Sequence, residues 1–153
     1  MITNRRNKNN IVLVGVAGVG KTTLGQMAAE KLGLSFIDVD LSFEESESSD
    51  IDTLLKKYGD NRFDKLIDEH FITLIQNSDD TIFAAPARIT QFKEFWNSVK
   101  LNGMSILLRG KPMEVYMRQD VWINGRKLSK KEKLKKSWKD DFYDYYYWRQ
   151  RQC

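Results

Sequence analysis

The sequence is poor in features that would take it outside the ordinary globular class. Its single cysteine is Cys153, the last residue. No disulfide can therefore form within the chain, and nothing points to an oxidising compartment. The apolar run from Ile11 to Gly15 is far too short to cross a bilayer. It leads into Gly18-Val19-Gly20-Lys21 rather than a small-residue cleavage site, so no targeting segment is expected and the cytoplasm is the natural compartment. No internal repeat, linker or low-complexity stretch divides the 153 residues. That length suits one domain, with residues 1–10 as a polar tail, able to bury a core without disulfide or metal staples.

Hydrophobic residues make up 41% and charged residues 30%, which sets aside disordered and fibrous classes. The net charge of +4 is unevenly placed, because Arg126 to Lys139 carries eight basic residues against one acid. The rest of the chain is therefore net acidic. Such a cluster can grip nucleic acid, but a solvated lysine-rich helix face or a phosphate-covering lid accounts for it more simply. Neither nucleic acid nor a membrane is expected as a partner, and the oligomeric state is left open.

Periodicity gives an alternation of strands and helices. Ile11 to Val14 reads as a buried parallel strand, followed by a helix with Leu24, Met27, Ala28 and Leu32 at helical spacing. Ser35 to Val39 reads as a second strand ending in acids, and Glu44 to Asp52 as a loop or the start of a helix. Helices are predicted over Ile51 to Tyr58 and Asn61 to Gln76. In the latter, Phe63, Leu66, Ile67, His70, Phe71 and Leu74 make one apolar stripe that assigns His70 a structural role. Strands are predicted at Thr81 to Ala85 and Met104 to Leu108, with helices over Phe92 to Val99 and Pro112 to Arg118. Ile123-Asn124-Gly125-Arg126 reads as a loop, and a long final helix carries Leu134, Trp138, Phe142 and Tyr145 on one face. This pattern implies a three-layer α/β/α fold around a parallel sheet.

Gly15-Val16-Ala17-Gly18-Val19-Gly20-Lys21-Thr22 matches G-x-x-x-x-G-K-[ST] in full, between a predicted strand and a predicted helix. Glycines let backbone N–H groups curl around phosphate oxygens, and the helix adds the positive end of its dipole. The expected ligand is ATP with Mg²⁺. Gly15, Gly18, Val19, Gly20, Lys21, Thr22 and Thr23 form its phosphate site, Lys21 reaches the β- and γ-phosphates, and the Thr22 hydroxyl ligates the cation.

From Phe36-Ile37-Asp38-Val39-Asp40 to Glu69 the sequence resembles the shikimate kinases, small P-loop proteins of the nucleoside monophosphate kinase superfamily. The resemblance includes Glu44, Asp50-Ile51 at a helix start, and Gly59-Asp60-x-x-Phe63 in place of that family's Gly-Glu-x-x-Phe-Arg. With a candidate lid at Arg126-Lys127-Leu128, within about residues 121–131, it spans roughly Ile11 to Trp148. It implies a P-loop kinase fold and transfer of the ATP γ-phosphoryl group to a hydroxyl of a small metabolite. In that scheme Asp38 holds Mg²⁺ through water, Asp40 orients and helps deprotonate the acceptor, and Lys21 and Arg126 stabilise the transferring charge.

The departures concern the acceptor. Where the family clamps a carboxylate with arginines, this chain has Asp64 and, in the final helix, Asp141. Where it has a glycine-rich substrate loop, this chain has Ala85-Pro86-Ala87, and Pro86 has no N–H to donate. With Asp40, Asp64, Pro86 and Asp141 as the substrate positions, repulsion predicts a neutral or cationic acceptor and makes shikimate itself doubtful. Arg62, Arg88 and Arg118 are candidates for a displaced clamp, with nothing in the sequence to place them. The family has a further strand and helix beyond the lid helix; the chain stops at Cys153, which leaves open the loss of an edge strand and of adenine contacts. The alternatives are an ATP-binding regulatory or assembly protein without phosphotransfer, and an RNA-contacting basic tail.

Overall fold

The computed structural model describes residues 8–119, 122–123, 126–127, 129–133, 140, 142–144, 146–148 and 151. A buried apolar strand, β1 (Asn10–Val14), lies inside a four-stranded parallel sheet. Strands β2 (Ser35–Asp38), β3 (Thr81–Ala84) and β4 (Gly103–Leu107) complete it, in the order β2-β3-β1-β4. In-register pairing of Ile11 with Ile82 and with Met104 makes β1 a central strand. The loop after β1 therefore opens in the middle of the sheet's carboxyl edge, where ligands of open α/β sheets bind.

One face of the sheet carries most of the apolar mass. Helices α2 (Val39–Glu47), α3 (Ile51–Tyr58), α4 (Asp60–Asn77) and α5 (Lys93–Asn102) bury Phe43, Leu54, Phe63, Ile67, Phe71 and Phe95 against Val12, Val14 and Phe83. Edge-to-face packing of Phe71 on Phe83, with ring centroids 5.8 Å apart, ties α4 to β3. His70 belongs to this packing, as expected: its Nε2 lies 3.0 Å from Ser42 Oγ and its ring 5.3 Å from that of Phe43. Burial lowers its pKa.

The other face is thin, and three of the four residues at helical spacing on the first helix are turned away from it. Helix α1 (Lys21–Leu32) buries Gly25 and Ala29, while Leu24, Met27 and Leu32 are 49%, 53% and 62% exposed. A Cβ on Gly25 would stand 2.4 Å from Cε2 of Phe36, so the helix lies on the sheet through its small residues and its larger ones are carried outward. Gly33, at φ 67°, ends the helix, its N–H donating to the Ala29 carbonyl.

A second correction concerns the end of β2. The sequence suggests a strand running on to Val39 and a loop or helix start from Glu44, yet α2 begins at Val39. Asp38 stops the strand and starts the helix, its Oδ1 accepting the backbone N–H of Asp40 at 3.1 Å and of Leu41 at 3.4 Å. Asp50 caps α3 through the Thr53 N–H, and Glu44 accepts the Ile51 N–H at 2.8 Å.

Helix α6 (Pro112–Arg118) is followed by two short antiparallel strands, β5 (Trp122–Ile123) and β6 (Arg126–Lys127), and by α7 (Lys130–Lys133). The predicted loop thus has strand pairing at both ends. Ser129 and Glu132 form a reciprocal cap on α7. Phe142 and Tyr146 pack with Val115, Tyr116, Val16 and Val19, joining the chain's last aromatic segment to the underside of the P-loop. Leu134, Trp138 and Tyr145 of the predicted final helix lie outside the described residues.

Candidate functional site

The loop between β1 and α1 takes backbone angles that side chains rarely adopt: φ is 147° at Gly15, 78° at Gly18 and 106° at Gly20. Space demands glycine as well at the first of these, since a Cβ on Gly15 would meet the Leu108 carbonyl oxygen at 2.7 Å. Between the glycines, Val16 and Val19 are buried and fasten the loop to the cluster beneath it. Lys21 Nζ donates to the carbonyls of Gly15 at 2.8 Å and Val16 at 3.1 Å, so the ammonium already lies along the loop that it serves.

Beside the loop, the two residues expected to hold a cation are in contact. Thr22 Oγ1 donates to Asp38 Oδ2 at 2.6 Å, while Asp38 Oδ1 caps α2. One carboxylate is therefore fixed by two elements and offers hard oxygen chemistry next to the phosphate loop, which suits Mg²⁺. Two residues on, in the first turn of α2, Asp40 has its pKa raised to about 6, first by burial and then by the Asp38 charge, with Arg88 and Lys21 pulling the other way. A carboxyl poised there is a base near neutral pH.

These groups share one cavity of about 1060 Å³. Gly18, Val19, Gly20, Lys21, Thr22 and Thr23 form one wall; Asp38, Asp40, Glu44, Pro86, Arg88 and Arg118 stand elsewhere around it. Of the three arginines that the sequence leaves unplaced, Arg88 and Arg118 thus reach the cavity, whereas Arg62 lies over the Tyr58 ring at 5.8 Å.

Asp64 requires a correction. It is not among the described residues lining the cavity. Its Oδ1 accepts Arg88 Nη1 at 2.7 Å and its Oδ2 accepts Gln91 Nε2 at 3.1 Å, so its charge is matched by a guanidinium rather than turned on an incoming ligand. The repulsion expected from Asp64 is compensated by a residue 24 positions further on. Arg126 contributes backbone to β6, but its side chain and all of Asp141 lie outside the described residues.

Gln119 is a contact that the sequence reading missed. Just past α6, its Nε2 donates to the Ala17 carbonyl, and a Cβ on Gly18 would meet its Cγ at 3.0 Å. A lone glutamine after a short helix carries no sequence signal of this role. Lys133 in turn donates to the Gln119 carbonyl.

A parallel sheet ordered β2-β3-β1-β4, with a glycine loop after β1 and paired acids after β2, defines a P-loop kinase fold. Comparison with known proteins narrows the class. The sequence model of the shikimate kinase family, described as "Shikimate kinase", matches residues 17–150, and the chain belongs to that family. It is 33% identical over 109 residues to the shikimate kinase of Thermodesulfovibrio yellowstonii (strain ATCC 51303 / DSM 11347 / YP87), covering 71% of this chain and 62% of that relative. Against the shikimate kinase of Persephonella marina (strain DSM 14350 / EX-H1) it is 31% identical over 124 residues, 81% of this chain and 74% of the relative. Among solved structures, the Acinetobacter baumannii shikimate kinase in complex with shikimate superposes with a TM-score of 0.76 at 21% identity, covering 95% of this chain and 78% of that one. The Aquifex aeolicus enzyme gives a TM-score of 0.72 at 24% identity, covering 93% of this chain and 80% of that one. At these identities the superpositions speak for the fold. Among the described residues, no helix is long and apolar enough to cross a membrane.

Proposed function

We propose that the chain transfers the γ-phosphoryl group of ATP to a hydroxyl of a small metabolite in the cytoplasm. One observation carries this reading: a single cavity joins residues 17–23 of the phosphate loop to a half-buried carboxyl with a pKa of about 6. Bound MgATP would supply the phosphoryl group and the cation that screens its charge. The backbone N–H groups of residues 15–20 and the amino end of α1 would cradle phosphate oxygens. Lys21 would exchange the carbonyls of Gly15 and Val16 for those oxygens, staying with the phosphoryl group as charge develops.

Thr22 and Asp38 would hold the cation by hydroxyl and carboxylate oxygens, as their contact prepares them to do. Asp40 would accept a hydrogen bond from the acceptor hydroxyl and take its proton as the oxygen attacks. Residues 121–131 would close over the phosphates, with Arg126 as the lid cation. Gln119, bonded to the loop at Ala17, would tie the residue just before that segment to the phosphate loop.

The test is an ATP-consumption screen against a panel of hydroxylated metabolites, with Lys21→Ala as control and thermal shift by MgATP as the binding readout. Turnover on one compound, lost in the control, supports phosphotransfer. A thermal shift with no turnover on any acceptor favours the regulatory alternative. No shift at millimolar nucleotide removes the reading altogether.

A further inference from the structure

A second cavity, of about 500 Å³, shares no lining residue with the first. Its walls are Arg109 and Gly110 just after β4, Pro112 at the start of α6, and Tyr146, Tyr147 and Arg151 from the last aromatic segment. One part of it is firmly fixed. Tyr146 is only 4% exposed and turns its hydroxyl onto Gly110, donating to the carbonyl at 2.7 Å and accepting the N–H at 3.4 Å. Gly110 leaves no room for a larger residue, since a Cβ there would stand 2.8 Å from Cγ2 of Val115.

The charge of this cavity is one-sided. Arg109 and Arg151 bring two cations to it, no residue lining it is acidic, and neither arginine has a carboxylate partner among the described residues. Like charges brought to one cavity repel each other, and an anion between them removes that cost. Two guanidinium forks match the oxygens of a phosphate in shape, and their combined charge matches a dianion better than a single carboxylate. Tyr147, 53% exposed, and Pro112 add apolar faces, and the volume lies within the range of small-molecule sites, so a ring can enter with the phosphate.

Helix α6 links this cavity to the nucleotide wall. Pro112, its first residue, lines the second cavity, and Arg118, its last, lines the first. At about 1.5 Å per residue the helix spans about 10 Å. Between its ends Val115 and Tyr116 pack with Tyr146 against Val16 and Val19 of the phosphate loop. A Cβ on Gly18 would stand 3.4 Å from the Val115 carbonyl oxygen, so the loop rests closely on this helix. A ligand that holds Arg109, Gly110 and Pro112 therefore stiffens the support beneath the loop.

We propose that the second cavity is a regulatory site for a small phosphate monoester carried on a flat ring, and that its occupation tightens nucleotide binding through α6 and Tyr146. Arg109 and Arg151 would hold the phosphate and Tyr147 the ring. By reciprocity, nucleotide would tighten this ligand by the same factor. The site stands apart from the phosphotransfer reading, and only its coupling depends on nucleotide binding.

The experiment titrates phenyl phosphate calorimetrically into the whole chain at about pH 8, where the ester is a dianion, with MgADP filling the phosphate loop. Phenyl phosphate should bind at a single site, about tenfold or more tighter than inorganic phosphate, benzoate or phenol. Arg109→Gln with Arg151→Gln should weaken it by about tenfold or more, the corresponding pair of lysine changes should keep part of the affinity, and Tyr147→Ala should bring it towards inorganic phosphate. The thermal shift by MgADP should persist in each variant, which shows that the fold is intact. In the reciprocal titration, saturating phenyl phosphate should tighten MgADP by about fivefold or more, and Tyr146→Phe should bring that factor near one while phenyl phosphate still binds. No binding of phenyl phosphate, equal binding by the double glutamine variant, or weaker MgADP in its presence, as competition at the phosphate loop would give, overturns the site. Unchanged MgADP affinity overturns the coupling, and coupling that survives Tyr146→Phe overturns its route. No thermal shift by MgADP in the unchanged chain would sink the phosphotransfer reading and the coupling, and phenyl phosphate binding alone would then decide the site.

Discussion

The two walls of the cavity are built in opposite ways. The phosphate wall is a run of consecutive residues whose backbone does the binding, with glycines at φ 147°, 78° and 106° setting its curve and two buried valines fastening it down. The acceptor wall consists of side chains from α2, the turn after β3 and the end of α6, several held by partners elsewhere. Charge at a backbone wall is set by local geometry. Charge at a side-chain wall can be relocated, as Asp64 and Arg88 show, while the surface still presents a cation.

This contrast can be broken by changing one wall at a time. Asp40→Asn should have the largest effect, lowering kcat by about 10²–10⁴-fold while the MgATP thermal shift persists, because it removes the base and not the phosphate cradle. In the unchanged chain kcat/KM should fall as pH drops through about 6, where Asp40 takes up a proton and can no longer accept one. Arg88→Gln removes a charge that opposes this protonation, so a pH–rate profile should show the limb moved to higher pH. Lys21→Ala strikes the other wall and should lose about 10²–10³-fold in kcat together with much of the MgATP shift that Asp40→Asn keeps.

Smaller effects probe the scaffold behind each wall. Gly25→Ala forces a methyl onto the Phe36 ring beneath α1 and should cost about 1–3 kcal/mol in denaturant unfolding. An intact midpoint would mean that the ring yields freely. Behind the acceptor wall, Asp68 on α4 is buried, with Oδ1 lacking a hydrogen-bond partner, and its pKa is raised from 3.8 to about 7 by burial and by the charges of Glu94 and Glu69. Between those two pH values the folded chain holds a proton that the unfolded chain has released, so this residue's contribution to stability falls as pH rises through the window. Asp68→Asn should therefore raise Tm more at pH 8 than at pH 5, and equal gains at both would refute the assignment.

What could be read from the sequence follows the same division. The phosphate loop was legible because its function is carried by residue types in a fixed contiguous order, flanked by the strand and helix that it needs. The sheet was legible because β1 and β3 are short buried apolar runs. On α1 the helical spacing located the helix but not its seat, because periodicity reports which residues share a face and not which face meets the sheet. Gly25 and Ala29 allow the closer approach, and the larger residues are displaced to the surface. The start of α2 was missed because Asp38 is both the last residue of a strand and a helix cap. Asp64 was misjudged because its partner is 24 residues away, a pairing that no local pattern reveals.

The close seat of α1 on the sheet bears on how nucleotide affinity is set. With the side chains of Phe36 and Leu13 directly against Gly25 and no long side chain of the helix holding it off, the amino end of α1 has little room to rock, and the glycine loop is tied at β1 on one side and to this stiff helix on the other. Much of the conformational entropy of shaping an anion nest is therefore surrendered when the chain folds, and less remains to be lost when phosphate arrives. A looser seat would leave every hydrogen-bond donor in place and still weaken nucleotide binding, through disorder alone.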